Sequence, residues 1–231
     1  MTLDYSKHKN IQLQILKEIY TDTAIAPYLG FKGGTAALLF YDLERKSVDL
    51  DFDLLEENKK NQVFEKILKI AQGYGEIKES RIKRYNLIII LSYDLKAQNI
   101  KIEVNRREFG SRYELATLLG ISMLVMVKED MFAHKLMAMS ERVGKTSRDI
   151  FDVYFFAKNN WPINKNIIEK RAGFSYDKLV EKCVELLEKM NNRKILDGLG
   201  EFLTENQKDW ARTKLREETI FLLKARLESE K

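Results

Sequence analysis

The chain has 231 residues and mixes 40 basic with 35 acidic side chains to a net charge of +5, which allows one large domain or two small ones and leans only weakly toward an anionic partner. Hydrophobic residues at 45%, charged residues at 32%, two prolines and eleven glycines exclude a disordered or linker-rich chain. One cysteine (Cys183) excludes an internal disulfide, two histidines (His8 and His134) argue against zinc, and no apolar run approaches the roughly 18 residues of a membrane span, so a cytoplasmic protein without a membrane partner is expected.

Residues 9–27 carry an apolar stripe (Ile11, Leu13, Ile15, Leu16, Ile19) that predicts a helix. Leu29 to Lys32 predicts a short strand ending in Gly33-Gly34, and Thr35 is placed to cap a following helix from Ala36 to Tyr41. Val48 to Leu54 alternates, with Val48, Leu50, Phe52 and Leu54 on one side and Asp49, Asp51 and Asp53 on the other. An amphipathic helix over 59–73 precedes strands at Tyr85–Tyr93 and Asn99–Asn105. Beyond about residue 112 the pattern turns helical, with helices expected at 128–142, 147–158, 164–171, 175–190 and 207–228. Gly110 and Gly120 flank the transition. The organisation expected is an α/β (α+β) core with a mixed sheet over 1–115 and an all-helical domain over 116–231, substrate lying in the cleft between them.

The chemistry concentrates between Phe31 and Asp53. A Gly33-Gly34-Thr35 turn is followed, after thirteen residues, by Asp49-x-Asp51 on a strand. Glycines at a strand-to-helix turn let the backbone approach a phosphate, and the new helix presents free N–H groups. Two carboxylates at i and i+2 on a strand point the same way, a pairing that suits a divalent cation and is costly without one. Hard oxygen ligands with open positions suit Mg²⁺, with Mn²⁺ as a substitute. Glu103 offers a third carboxylate from a neighbouring strand, unless it only pairs with Lys101 on the surface. Two or three acids of this kind can hold two metals that activate a hydroxyl and stabilise leaving pyrophosphate.

Gly33-Gly34-Thr35 with Asp49-x-Asp51 resembles the signature of the polymerase-β-like nucleotidyltransferases. The wider set is Lys32-Gly33-Gly34-Thr35, Arg45-x-Ser47-x-Asp49-Leu50-Asp51-Phe52, Lys135, and Arg148-Asp149-x-x-Asp152, and it resembles the AbiEii/AbiGii family of nucleotidyltransferase toxins over about residues 30–156. That resemblance implies an enzyme that transfers a nucleoside monophosphate from an NTP to the 3′ end of a tRNA. It would act as the toxin of a toxin–antitoxin or phage-defence system with a cognate antitoxin. It also places Arg45, Ser47 and Arg148 with Gly33, Gly34, Thr35 and Lys135 among the nucleotide-binding residues, although Arg45 and Ser47 could instead only shape their loop.

The helical half adds its own signal. On 128–142, Lys135 falls in the middle of an apolar face of Met131, Phe132, Leu136 and Met139, so it must snorkel, pair with an acid or meet a ligand. On 147–158, Arg148 and Asp152 form a narrow charged stripe on an otherwise apolar helix, which aims at something specific. Lys135 is expected to bind triphosphate, and Asp149 or Asp152 to orient it or assist proton removal; Lys135 could also neutralise a buried Asp152. Arg81, Lys83, Arg84 and Arg106-Arg107 could track an RNA backbone or be solvated surface. Two rival readings remain open: transfer to a protein side chain, and a catalytically silent module that binds RNA or another partner.

Overall fold

The computed structural model describes residues 4–94 and 98–229. Two compact units emerge. One comprises the chain up to Asp42, Lys46–Glu108 and Arg112–Met126; the other comprises Leu43–Arg45, Phe109–Ser111 and the chain from Val127 on.

The first unit is built on seven strands: β1 (Leu29–Lys32), β2 (Leu50–Leu54), β3 (Glu76–Ile82), β4 (Asn86–Ser92), β5 (Ile100–Asn105), β6 (Tyr113–Leu118) and β7 (Ile121–Met126). They lie in the order β3-β4-β5-β2-β1-β7-β6. The sheet is mixed as expected: β2 pairs parallel with β5 and β1 parallel with β7, while the remaining pairs are antiparallel. Three helices accompany it, α1 (Tyr5–Thr21), α2 (Gly33–Phe40) and α3 (Lys60–Gln72). Burial of one strand face drives the arrangement. Leu50 and Phe52 of β2, Leu87, Ile89 and Leu91 of β4, and Ile100, Ile102 and Val104 of β5 are buried with Val63, Ile67 and Ala71 of α3 and Ile15, Leu16 and Ile19 of α1. The alternate residues of β2 and β5 share the opposite face, where Asp51, Lys101 and Glu103 stay partly exposed and Asp53 and Asn105 are buried.

Several expected boundaries move. Helix α1 stops at Thr21 rather than 27, because the Asp22 carboxylate accepts from the Ala24 N–H at 2.9 Å and turns the chain. Strand β3 replaces an expected gap; its polar sequence makes an exposed edge strand with no apolar alternation. The stretch expected to mark the boundary forms the β6–β7 hairpin, so the sheet unit runs to Met126 instead of residue 115.

The second unit holds α4 (Lys128–Arg142), α5 (Arg148–Lys158), α6 (Lys165–Ala172), α7 (Tyr176–Lys189), α8 (Glu205–Trp210) and α9 (Arg216–Ser229). The single helix expected over 207–228 is thus two, joined by one turn of wider π geometry at Ala211–Leu215. Helix α5 is buried continuously from Asp149 to Ala157. Around it Phe156 stacks on Trp161 with ring centroids 4.0 Å apart, and Phe132 meets Phe156 edge-on at 5.7 Å.

Candidate active site

In the sheet unit, β1 delivers the chain to the turn that starts α2. Gly33 has φ +81°, a conformation that favours glycine, and a Cβ there would stand 2.5 Å from Asp51 Oδ2. The absence of a side chain therefore lets the Asp51 carboxylate sit against the turn. Helix α2 begins at Gly33, with Lys32 as its N-cap and no side chain capping its first N–H groups. Thr35 is not the cap the sequence suggested. It lies inside the helix, buried, and its hydroxyl donates to the Asp49 carbonyl at 2.5 Å and contacts Ser47 Oγ at 2.9 Å.

The segment before β2 is clamped from the other side as well. Tyr5 accepts from the Ser47 N–H at 3.2 Å. The fully buried His8 contacts the Val48 carbonyl through Nε2 at 3.0 Å and the Tyr93 hydroxyl through Nδ1 at 2.8 Å. A carbonyl only accepts, so Nε2 carries the proton and Nδ1 accepts from Tyr93. Burial, ahead of the opposing Val48 hydrogen bond and Asp49 charge, pushes the His8 pKa down and keeps the ring neutral.

Asp51 lies beside Glu103 in the parallel β2–β5 register. Burial first, and then repulsion from Asp49 and Glu103, raise its pKa against the pull of Lys101 and Lys32. The main cause is removal of the carboxylate from water, with the neighbouring acids adding to it. Glu103 is engaged by Lys101 at 2.7 Å and by Asn86. Among the described residues no three His, Cys, Asp or Glu side chains form a metal-holding group; Asp49, Asp51 and Glu103, the acids expected to hold an ion, offer hard oxygen donors of the kind that suits Mg²⁺. Asp53, on the same strand face, is spoken for: Lys32 reaches its Oδ1 at 2.5 Å, Asn105 the same oxygen at 2.6 Å, and Tyr113 donates to Oδ2 at 2.5 Å.

The helical unit carries a cluster in which three cations meet two carboxylates. Arg45 forks onto Asp152, Nε to Oδ1 at 2.6 Å and Nη2 to Oδ2 at 2.7 Å, with both side chains buried. Lys135 contacts Asp152 at 2.7 Å and Asp149 at 3.1 Å. Arg142 Nη2 stands 2.8 Å from Asp149 Oδ2, off the hydrogen-bond axis, so that buried oxygen has an ion-pair partner and no hydrogen bond. Burial alone would raise the Asp152 pKa, yet Arg45 and Lys135 bring it down to about 2. Burial likewise opposes charge on Lys135, and Asp152 and Asp149 outweigh it to hold the ammonium above its usual range. Arg148 lies over the Phe202 ring at 5.3 Å.

The model of the nucleotidyl transferase AbiEii toxins, which belong to type IV toxin–antitoxin systems, matches residues 14–218. The chain belongs to the AbiEii family. The match runs well beyond the stretch 30–156 that carries the sequence motifs. The fold is shared with JHP933 from Helicobacter pylori (19% identity, TM-score 0.60, covering 100% of this chain and 96% of that one). A candidate nucleotidyltransferase from the same organism is similar (20% identity, TM-score 0.59, 100% and 99% covered). No curated protein matches the chain.

As an AbiEii nucleotidyltransferase, the chain has its motif residues in two clusters. Gly33, Gly34, Thr35, Ser47, Asp49, Asp51 and Glu103 fall in the sheet unit; Arg45, Lys135, Arg148, Asp149 and Asp152 fall in the helical unit. Both oxygens of Asp152 are taken up by Arg45 and Lys135, an arrangement that suits the orienting role expected from sequence more than proton removal. Sequence reasoning missed Arg142, although it sits seven residues after Lys135 and so on the same helical face. It also missed His8, for which a lone polar residue in an amphipathic helix gave no signal.

Proposed function

We propose that this AbiEii-family chain transfers a nucleoside monophosphate from an NTP to an RNA hydroxyl, with the 3′ end of a tRNA as the favoured acceptor. The acceptor hydroxyl gives up its proton to water as its oxygen bonds to the α-phosphorus, the bond from that phosphorus to the bridging oxygen breaks, and pyrophosphate leaves with the displaced electron pair. One observation carries the reading: the Asp51 carboxylate packs directly on the glycine turn whose helix N-terminus lacks a side-chain cap. A phosphate received by those N–H groups would thus lie within reach of the carboxylates. Asp49 and Asp51 would hold Mg²⁺ (or Mn²⁺), which supplies neutralisation of the phosphate charge.

The remaining work falls to the chain's own groups. Thr35 fixes the Asp49 backbone, and the α2 N–H groups orient phosphate oxygens. In the helical unit, Arg45, Lys135 and Arg142 set three positive charges against the two of Asp149 and Asp152. The surplus cation suits a polyphosphate, with Lys135 its contact and Asp149 its orienting partner. Catalysis of this type is mostly positioning and charge stabilisation.

The test incubates purified protein with total tRNA, Mg²⁺ and each α-labelled NTP in turn, beside an Asp49→Ala control. Label entering RNA and vanishing in the variant is the expected result. Label entering only protein would replace the acceptor with a protein side chain, and full activity in Asp49→Ala would remove the proposed metal site.

A further inference from the structure

The polar face of the sheet continues past the carboxylates. Asp51 pairs in register with Glu103, Glu103 with Ile88, and Ile88 with Arg81. These four residues form one row across β2, β5, β4 and β3, and directly opposed residues share a face. Three strand spacings separate its ends, or about 14 Å. The row finishes at Arg81, whose side chain is 68% exposed on an edge strand. Two residues on, Lys83 is also exposed, and its N–H donates to the Asn86 carbonyl at 2.8 Å to close the β3–β4 turn.

That turn carries Arg84 and Tyr85. The Tyr85 ring is 47% exposed, and the guanidinium groups of Arg84 and Arg107 lie 5.1 and 5.6 Å from its centre. Arg106 is the strut beneath. It pairs with Glu57 and donates to the Lys83 and Arg84 carbonyls at 2.7 and 3.1 Å. The turn is therefore held in shape by a residue distinct from those it displays. Over residues 79–86 and 105–108, with Arg106 taken by Glu57, four further cations face two acids, Glu79 and Glu108. Glu79 contacts Arg81 and Lys83 only at 3.4 and 3.9 Å across exposed surface, and such pairs compete poorly with a polyanion.

Cations spaced along an edge strand, ending in an exposed aromatic ring flanked by guanidinium planes, match the chemistry of single-stranded nucleic acid: phosphates for the cations and a base for the ring. We propose that the β3–β4 hairpin is an RNA-binding platform that seats the acceptor strand, with its backbone on Arg81, Lys83 and Arg84 and a base against Tyr85. This rests on the RNA-acceptor reading for its link to catalysis, though not for binding itself.

The experiment uses the full chain and two readouts. Fluorescence anisotropy with a fluorescein-labelled single-stranded RNA, across a salt series, measures binding. Steady-state labelling of total tRNA measures KM. The triple variant Arg81→Ala/Lys83→Ala/Arg84→Ala should flatten the slope of log K against log salt by about 2, at roughly 0.7 for each lost contact. Tyr85→Ala should weaken binding about tenfold, while Tyr85→Phe keeps wild-type affinity. KM for tRNA should rise in the triple variant with KM for NTP unchanged. Wild-type salt slope and affinity in the triple variant, or no RNA binding by the wild-type chain, would overturn the platform. RNA bound through the hairpin but never labelled would keep the platform and refute the acceptor reading. RNA labelled with wild-type KM by the triple variant would do the reverse.

Discussion

Both units gather carboxylates, and they treat them in opposite ways. In the sheet unit Asp51 lies near Asp49 and Glu103, and burial together with their repulsion, against the pull of Lys101 and Lys32, makes it hold its proton more tightly than a free carboxyl does. In the helical unit Asp152 is clasped by Arg45 and Lys135 until its pKa falls to about 2. The first arrangement disfavours the charged form; the second favours it and carries a positive surplus. Identical side chains thus do different jobs because of what surrounds them, and a substitution should reveal which job by whether activity or stability changes.

The largest contrast should come from Asp49→Ala. Labelling should fall to background while the melting temperature stays level or rises slightly, since a like-charge contact is relieved. A drop in melting temperature equal to that of a core variant would make Asp49 structural and erase the comparison. Arg45→Ala should do the opposite to the fold. It leaves Asp152 buried with only Lys135 beside it, a change expected to cost about 3–5 kcal/mol in urea unfolding. Replacing both partners with apolar residues, Arg45→Met with Asp152→Leu, should cost less than the single variant, because no charge is then stranded.

Acid titration sharpens the same contrast. A carboxyl depressed from 3.8 to about 2 in the folded state contributes stability that is complete above about pH 4 and lost as pH falls through about 2. The contribution is about 2 kcal/mol. Asp152→Asn should therefore flatten the pH dependence of unfolding in that window, and an unchanged slope would show that the ion pair is not what depresses the group. Gly33→Ala should destabilise less than Arg45→Ala, by about 1–2 kcal/mol for a left-handed alanine. Its methyl group would press on the Asp51 carboxylate, so labelling should fall further than the melting temperature suggests.

Much of the sheet unit's cluster was legible because its logic is local. Gly33-Gly34-Thr35 and Asp49-x-Asp51 announce a glycine turn into a helix and a carboxylate pair by spacing alone, and the structure brings Gly33 against Asp51. Lys135 and Asp152 were legible through helical periodicity, since a charge on an apolar face demands a partner. The fork from Arg45 to Asp152 was not, because nothing in a sequence marks an ion pair made across 107 positions. The β6–β7 hairpin escaped for a turn-chemical reason. Leu119 and Gly120 both take positive φ there, as a two-residue hairpin turn requires, but Leu-Gly lacks the Asn-Gly or Asp-Gly signal that usually announces one. Strand β3 hid behind its charges, which suit an edge and mimic a loop.

The Arg45–Asp152 fork also has a consequence for inheritance. The three residues Leu43–Arg45 count with the helical unit although the chain on both sides of them counts with the sheet. A recombination event at the Met126/Val127 junction would import a foreign helical half while retaining the resident Arg45. The donor must then carry an acid where Asp152 stands, or the hybrid would strand a guanidinium in a buried site. Positions 45 and 152 should therefore change together across relatives or not at all, and swapping halves between them should succeed only between chains that agree at both.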